Sequence, residues 1–299
     1  MDLDELIDGL RNEGKQLSIK DLRILCEKLK EIFIKESNLQ IVQAPVTICG
    51  NVNGQLSNLL ELFRTAGEIP LNNYVFLGGY VSNGRDTVQI IELLLCLKLK
   101  YPGNITLIRG RHETRSLSRV YGFRHEVKEK YGSIDAWKIF TDLFDYLPMG
   151  ALVEGKVFCV NAGLSPEIKT LDEIELIDRR KEIPDDGPCC DLVWSERDPG
   201  GKGWKAIDKG IGYAFGEDVV KEFNFVNNLE LIACGRYSLS GYDFPYGTDS
   251  LVKIFSTPNY KSVNGNLGAV MKLDENLDKE FICLVSKKYL KGSVFFNKK

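Results

Sequence analysis

The chain has 299 residues, 43% hydrophobic and 27% charged, with a net charge of −3; this is room for one large α/β domain or two small ones. Such a charge leaves no electrostatic footprint for nucleic acid or an anionic membrane surface. No apolar run reaches the ~18 residues of a membrane span, and the acidic start Met1-Asp2-Leu3-Asp4-Glu5 lacks the basic and apolar regions of a signal peptide, so a cytoplasmic or nuclear location is expected.

Leu3, Leu6, Ile7 and Leu10 recur at helical spacing, and Ser18 is placed to cap a second helix over 19–35 with Leu22, Leu25, Cys26, Leu29, Ile32 and Phe33 on one face. A short apolar strand over 45–49 then runs into the loop Gly50-Asn51-Val52-Asn53-Gly54-Gln55 and a helix carrying Leu56, Leu59, Leu60, Leu62 and Phe63. The plan repeats with a strand over 74–77, the loop Gly78-Gly79-Tyr80-Val81-Ser82-Asn83-Gly84 and a helix over 87–98. It repeats again with a strand over 105–108, the stretch Arg109-Gly110-Arg111-His112-Glu113 and a helix near 124–131. Strand, glycine-rich loop and helix in succession predict βαβ units whose loops gather at one edge of a parallel sheet, where open α/β sheets place their chemistry. Beyond a helix over 137–144, a turn at Gly155-Lys156 and a strand over 157–160, residues 161–166 form another loop and 171–216 read as mostly irregular. A helix over 217–225 follows, and the strands expected over 230–233, 250–255, 267–273 and 280–285 read as antiparallel. The chain is expected to be a single domain over 1–299, with a core at about 15–285 and a loose basic tail over 287–299. None of the eight cysteines has CxxC spacing; Cys49, Cys96, Cys159 and Cys283 read as core residues and Cys189-Cys190 as a loop pair without a metal role.

Several ordered runs resemble the catalytic subunits of the serine/threonine phosphoprotein phosphatases, most closely the type 2A group. They include Cys26-Glu27-Lys28-Leu29-Lys30-Glu31-Ile32, Pro45-Val46-Thr47-Ile48-Cys49-Gly50, Glu61-Leu62-Phe63-Arg64 and Val120-Tyr121-Gly122-Phe123. Further on come Phe140-Thr141-Asp142-Leu143-Phe144-Asp145-Tyr146-Leu147-Pro148, Gly163-Leu164-Ser165-Pro166 and Pro258-Asn259-Tyr260. The resemblance implies an α/β (α+β) metallophosphoesterase, calcineurin-like fold: a β-sandwich of two mixed sheets flanked by helices. It also implies phosphomonoester hydrolysis at two divalent ions (Mn, Fe or Zn), with arginines on the phosphate oxygens and a histidine protonating the leaving alkoxide. Partners implied are scaffold or regulatory subunits of the type 2A kind and phosphoproteins; no nucleic acid or membrane partner is expected.

The loops depart from the family's motifs where the ions would be held. Gly-Asp-x-His-Gly stands here as Gly50-Asn51-Val52-Asn53-Gly54, and Gly-Asp-x-x-Asp-Arg-Gly as Gly78-Gly79-Tyr80-Val81-Ser82-Asn83-Gly84. Arg-Gly-Asn-His-Glu has become Arg109-Gly110-Arg111-His112-Glu113, the histidine before Gly-Leu-Ser-Pro is Asn161, and that of Arg-Ala-His-Gln is Gly235. The family's ligand positions are thus Asn51, Asn53, Gly79, Arg111, Asn161 and Gly235, and its phosphate arginines Asn83 and Lys209. Two dications about 4 Å apart repel by roughly 17 kcal/mol at an effective dielectric of ~20, and only carboxylates and supported histidines offset that. No metal cofactor is therefore expected. One expectation is a pseudophosphatase acting as scaffold or competitor, which could bind phosphorylated segments through Arg109, Arg111, Lys209 and Arg236. The alternative is an active phosphoprotein phosphatase with an unconventional site around His112, a remnant proton donor, with Glu113 beside it. His125, the other histidine, reads as a surface residue.

Overall fold

Ser18 accepts the Asp21 backbone N–H at 3.1 Å and starts a 17-residue helix whose stripe of Leu22, Leu25, Cys26, Leu29 and Phe33 is buried. The computed structural model describes residues 1–52, 54–82, 84–208, 210–260 and 265–286, so Asn53, Asn83, Lys209 and the expected tail over 287–299 lie outside the described residues. Helix α1 (Leu3–Asp8) runs through a π-helical turn (Gly9–Glu13) towards α2 (Ile19–Lys35), which leads to strand β1 (Leu39–Val42). Strand β2 (Val46–Cys49), α3 (Leu56–Ala66), β3 (Tyr74–Phe76), α4 (Thr87–Lys100) and β4 (Ile105–Leu107) form the expected βαβ units, with β2–β3 and β3–β4 both parallel. Helices α5 (Arg115–Val120), α6 (Phe123–Tyr131) and α7 (Asp135–Phe144) precede the hairpin of β5 (Gly150–Val153) and β6 (Val157–Val160).

Residues 171–216 are more regular than their composition suggests. They hold α8 (Asp172–Glu175), α9 (Pro188–Trp194) and a small sheet of β7 (Glu196–Arg197), β8 (Trp204–Ala206) and β9 (Tyr213–Phe215) in the order β7-β9-β8. Strands this short are set by their tertiary pairing and leave little periodicity to read. After α10 (Glu217–Val226), strand β10 (Leu231–Gly235) pairs in parallel with both β6 and β12 (Leu251–Ile254), which corrects the antiparallel expectation. The connection between β10 and β12, carrying β11 (Tyr242–Asp243), is long enough for the crossover a parallel pair needs. Strands β13 (Gly268–Leu273) and β14 (Lys279–Leu284) are antiparallel as expected.

Among the described residues a six-stranded sheet, β1-β5-β6-β10-β12-β11, faces a five-stranded sheet, β14-β13-β2-β3-β4, and both mix parallel and antiparallel pairs. Val46, Ile48, Val75 and Leu77 from one sheet pack on Ala151, Cys159, Ala233 and Val252 from the other. Helices α2, α3, α4, α6 and α7 share one outer core with the five-stranded sheet; α9 and α10 cover the other sheet. This is the two-sheet sandwich flanked by helices implied by the resemblance. Cys49, Cys96 and Cys159 are buried, whereas Cys283 on β14 is exposed, because β14 is an edge strand with one face to solvent; Cys189 and Cys190 are buried on α9 and not in a loop.

Candidate functional site

The carboxyl ends of β2, β3, β4, β6 and β10 deliver the departing loops to one place. A cleft of about 290 Å³ there is lined by Asn51, Arg111, His112, Asn161, Gly235 and Arg236, with Trp194, Tyr121, Tyr237, Phe255 and Tyr260 around them.

Of the positions where the resemblance places metal ligands, Asn51, Gly79, Asn161 and Gly235 are taken up by packing and internal hydrogen bonds. Gly79 has φ +74, in the left-handed region, and a Cβ placed on it would lie 2.6 Å from Asn51 Cγ. The Asn51 side chain thus occupies the space in which a side chain at 79 would begin. A Cβ on Gly235 would likewise lie 3.2 Å from Asn51 Oδ1. Asn161 donates from Nδ2 to Leu77 O at 2.6 Å and accepts the Arg111 N–H at 3.3 Å, so its amide ties β3 to the loop after β4. Asn51 Oδ1 is buried without a hydrogen-bond partner, an oxygen that a cation could satisfy. A single neutral oxygen beside two glycines and a guanidinium does not make a dinuclear site. Among the described residues no group of His, Cys, Asp and Glu is arranged to hold a metal ion. The residues present do not fit the family's ion pair.

Glu113, expected beside a catalytic histidine, is a fastener instead. Its carboxylate is buried and accepts the backbone N–H groups of Gly79 (2.9 Å), Tyr80 (2.8 Å), Val81 (3.2 Å) and Gly110 (3.0 Å), pinning the second loop to the third. Burial raises its pKa against those four donors. Arg109 also departs from its expected phosphate role. Its fully buried guanidinium reaches Asp145 at 2.8 Å and donates to the Lys181, Arg179 and Glu113 carbonyls, so it faces the interior, where a buried cation must be paired.

His112 is 8% exposed, its Nδ1 lies 3.2 Å from Val81 O, and its ring stacks on Tyr121 at 5.4 Å between centroids. The carbonyl partner assigns the proton to Nδ1. Burial, then the nearby Arg111 charge, depress its pKa to about 4. At neutral pH it is a neutral imidazole with no second proton to give. Ser82, on the position of the motif's second aspartate, offers it no charge, and its Oγ is buried without a partner. His125 is exposed on α6 and lies 3.3 Å from Glu129, a surface role as expected.

The cleft's charge comes from arginines. Arg111 sits 5.1 Å above the Trp194 ring, and burial lowers its pKa. Arg236, 7% exposed, donates Nη2 to Trp194 O at 2.8 Å, while its Nε is buried without a partner. Burial, Arg111 and Arg197 bring its pKa down to about 9. Its carboxylate partner, Glu196, is 3.9 Å away and 55% exposed, and so compensates weakly. Arg197 Nη1 reaches Ala162 O at 3.5 Å and its Nε also lacks a partner. Tyr121 and Tyr237 were not singled out as site residues from sequence, because nothing local marks them; only the fold carries the ends of α5 and β10 to one cleft. The arrangement can bind an oxyanion through Arg111 and Arg236.

A family model described as calcineurin-like phosphoesterase matches residues 44–235. Among solved structures, a protein serine/threonine phosphatase from Saccharomyces cerevisiae, described as similar to human phosphatase PP5, is 28% identical over 96% of this chain and 96% of its own, with a TM-score of 0.87. The cold-active protein-tyrosine phosphatase of a psychrophilic Shewanella species is 15% identical over 84% of both chains, with a TM-score of 0.58, a likeness of fold. Among the described residues no helix is long and apolar enough to cross a membrane.

Proposed function

The chain belongs to the calcineurin-like phosphoesterase family, and from that premise we propose that its cleft binds the phosphoryl group of phosphorylated protein segments without two-metal hydrolysis. The observation carrying this reading is the replacement at the ligand positions: Asn51 packed over Gly79, Asn161 tied to Leu77 O, and the Arg111 guanidinium beside them. Water that is not metal-activated keeps a pKa near 15.7 in place of ~7, a loss of roughly eight to nine decades in hydroxide at neutral pH. General acid catalysis is worth about 10²–10⁴ and cannot make that up. The protein then serves as a pseudophosphatase, a scaffold or a competitor for the scaffold and regulatory subunits on which type 2A enzymes assemble.

A second reading, an active phosphoprotein phosphatase working around His112, is supported by the likeness to the yeast serine/threonine phosphatase over 96% of both chains. Elemental analysis of the purified protein, with aryl phosphate hydrolysis measured with and without Mn²⁺, separates the two. The first reading expects far less than one ion per chain and no turnover sensitive to His112→Ala. About two ions per chain, with turnover that His112→Ala abolishes, would replace it by the second. Co-purification of type 2A scaffold subunits tests the partner proposal, and their absence from the bound fraction rejects it.

A further inference from the structure

We propose that the cleft is selective for aryl phosphomonoesters, the chemistry of a phosphotyrosine side chain, over alkyl ones such as phosphoserine. This rests on the phosphoryl-binding reading above and adds what surrounds the phosphoryl group. The cationic groups lie deep: Arg236 is 7% exposed, with Nε unpartnered, and the half-buried Arg111 is stacked on Trp194. Arg197 adds a further positive charge near Arg236, and the carboxylate nearest to Arg236, that of Glu196, is more than half exposed. Two guanidiniums lining the cleft with so little compensation suit a phosphomonoester dianion.

The groups above this floor are aromatic. Tyr121, 42% exposed, stacks one face on His112, and Tyr237, 44% exposed, stands edge-on to Phe255. Trp194 and Tyr260 complete the lining. A phosphate one carbon from a peptide backbone must draw that backbone into a cleft of about 290 Å³ to reach Arg236, leaving exposed backbone amides among aromatic rings. A phosphate on a benzene ring reaches the same depth on a rigid apolar spacer, and that spacer meets ring faces and edges suited to it. The depressed Arg111 and Arg236 pKa values fit cations short of an anion.

Calorimetric titration with non-hydrolysable probes tests the selectivity whether or not the chain turns esters over. Benzylphosphonate, propylphosphonate and inorganic phosphate are compared on the full chain. Benzylphosphonate should bind about tenfold more tightly than propylphosphonate, and the double variant Tyr121→Leu/Tyr237→Leu should bring the two together while keeping affinity for inorganic phosphate. Arg111→Ala, with its circular dichroism unchanged, should weaken all three. Equal affinity for the two phosphonates overturns the aryl selectivity and leaves phosphoryl binding standing. No binding of any of the three overturns both. A preference that survives in the double leucine variant, with its circular dichroism unchanged, overturns the assignment to these rings.

Discussion

Substituting Gly79 tests whether the ligand positions have been repacked or merely emptied. An L-residue at φ +74 pays about 1–2 kcal/mol for the left-handed backbone. Its Cβ would also come within 2.6 Å of Asn51 Cγ and 3.1 Å of Asn51 Cβ, so the asparagine must leave its place, an overpacking cost of about 1–3 kcal/mol. Gly79→Ala should therefore destabilise by roughly 2–5 kcal/mol, measured by urea unfolding. Asn51→Ala in the same chain should recover most of the packing part and none of the backbone part, a coupling that a double-mutant cycle reads directly. Gly79→Asp alone should unfold still more readily, since it adds a carboxylate beside the buried Glu113, and should take up no Mn²⁺. Gly79→Ala within about 0.5 kcal/mol of the parent, or additive with Asn51→Ala, would refute the repacking argument.

Arg109→Met leaves three carbonyls without their guanidinium donor and Asp145 with Arg115 as its remaining cation, and should cost about 1–3 kcal/mol in denaturant unfolding, with affinity for inorganic phosphate unchanged; a selective loss of phosphate affinity would return Arg109 to the site. Glu92, buried on α4, has its pKa raised to about 8 chiefly by burial, so its stabilisation is full below the unfolded value near 4.5 and lost as pH rises through about 8. Unfolding free energy should fall by up to a few kcal/mol over that interval, and Glu92→Gln should flatten the fall; an unchanged slope contradicts the assignment. His112, with its pKa depressed to about 4, should show no NMR titration above pH 5. The unfolded imidazole takes its proton near 6.5, so this residue costs stability as pH drops from 6.5 towards 4; a midpoint near 6.5 would restore a protonatable acid.

Much of the fold could be read in advance because its signals are local. The helical stripe from Leu22 to Phe33, the buried strand Val46–Cys49 and the repeated βαβ order carry their periodicity within a few residues. The misread parts depend on distant partners. The direction of β10 against β6 and β12 follows from a crossover, and β7, β8 and β9 exist through their mutual pairing. The site divides the same way. Loop tips without carboxylates are visible residue by residue, yet Arg109 and Arg111, two positions apart in identical local chemistry, face opposite ways.

Residue identity alone determined that Asn51, Gly79, Arg111, Asn161 and Gly235 supply no anionic oxygen, since chemical type does not depend on conformation. Tertiary structure alone decided that Glu113 serves four backbone amides, that Arg109 pairs with Asp145, and that Arg111 and Arg236 share an aromatic cleft. Burial and partner distance set what a charged side chain does, and both are properties of the packed chain.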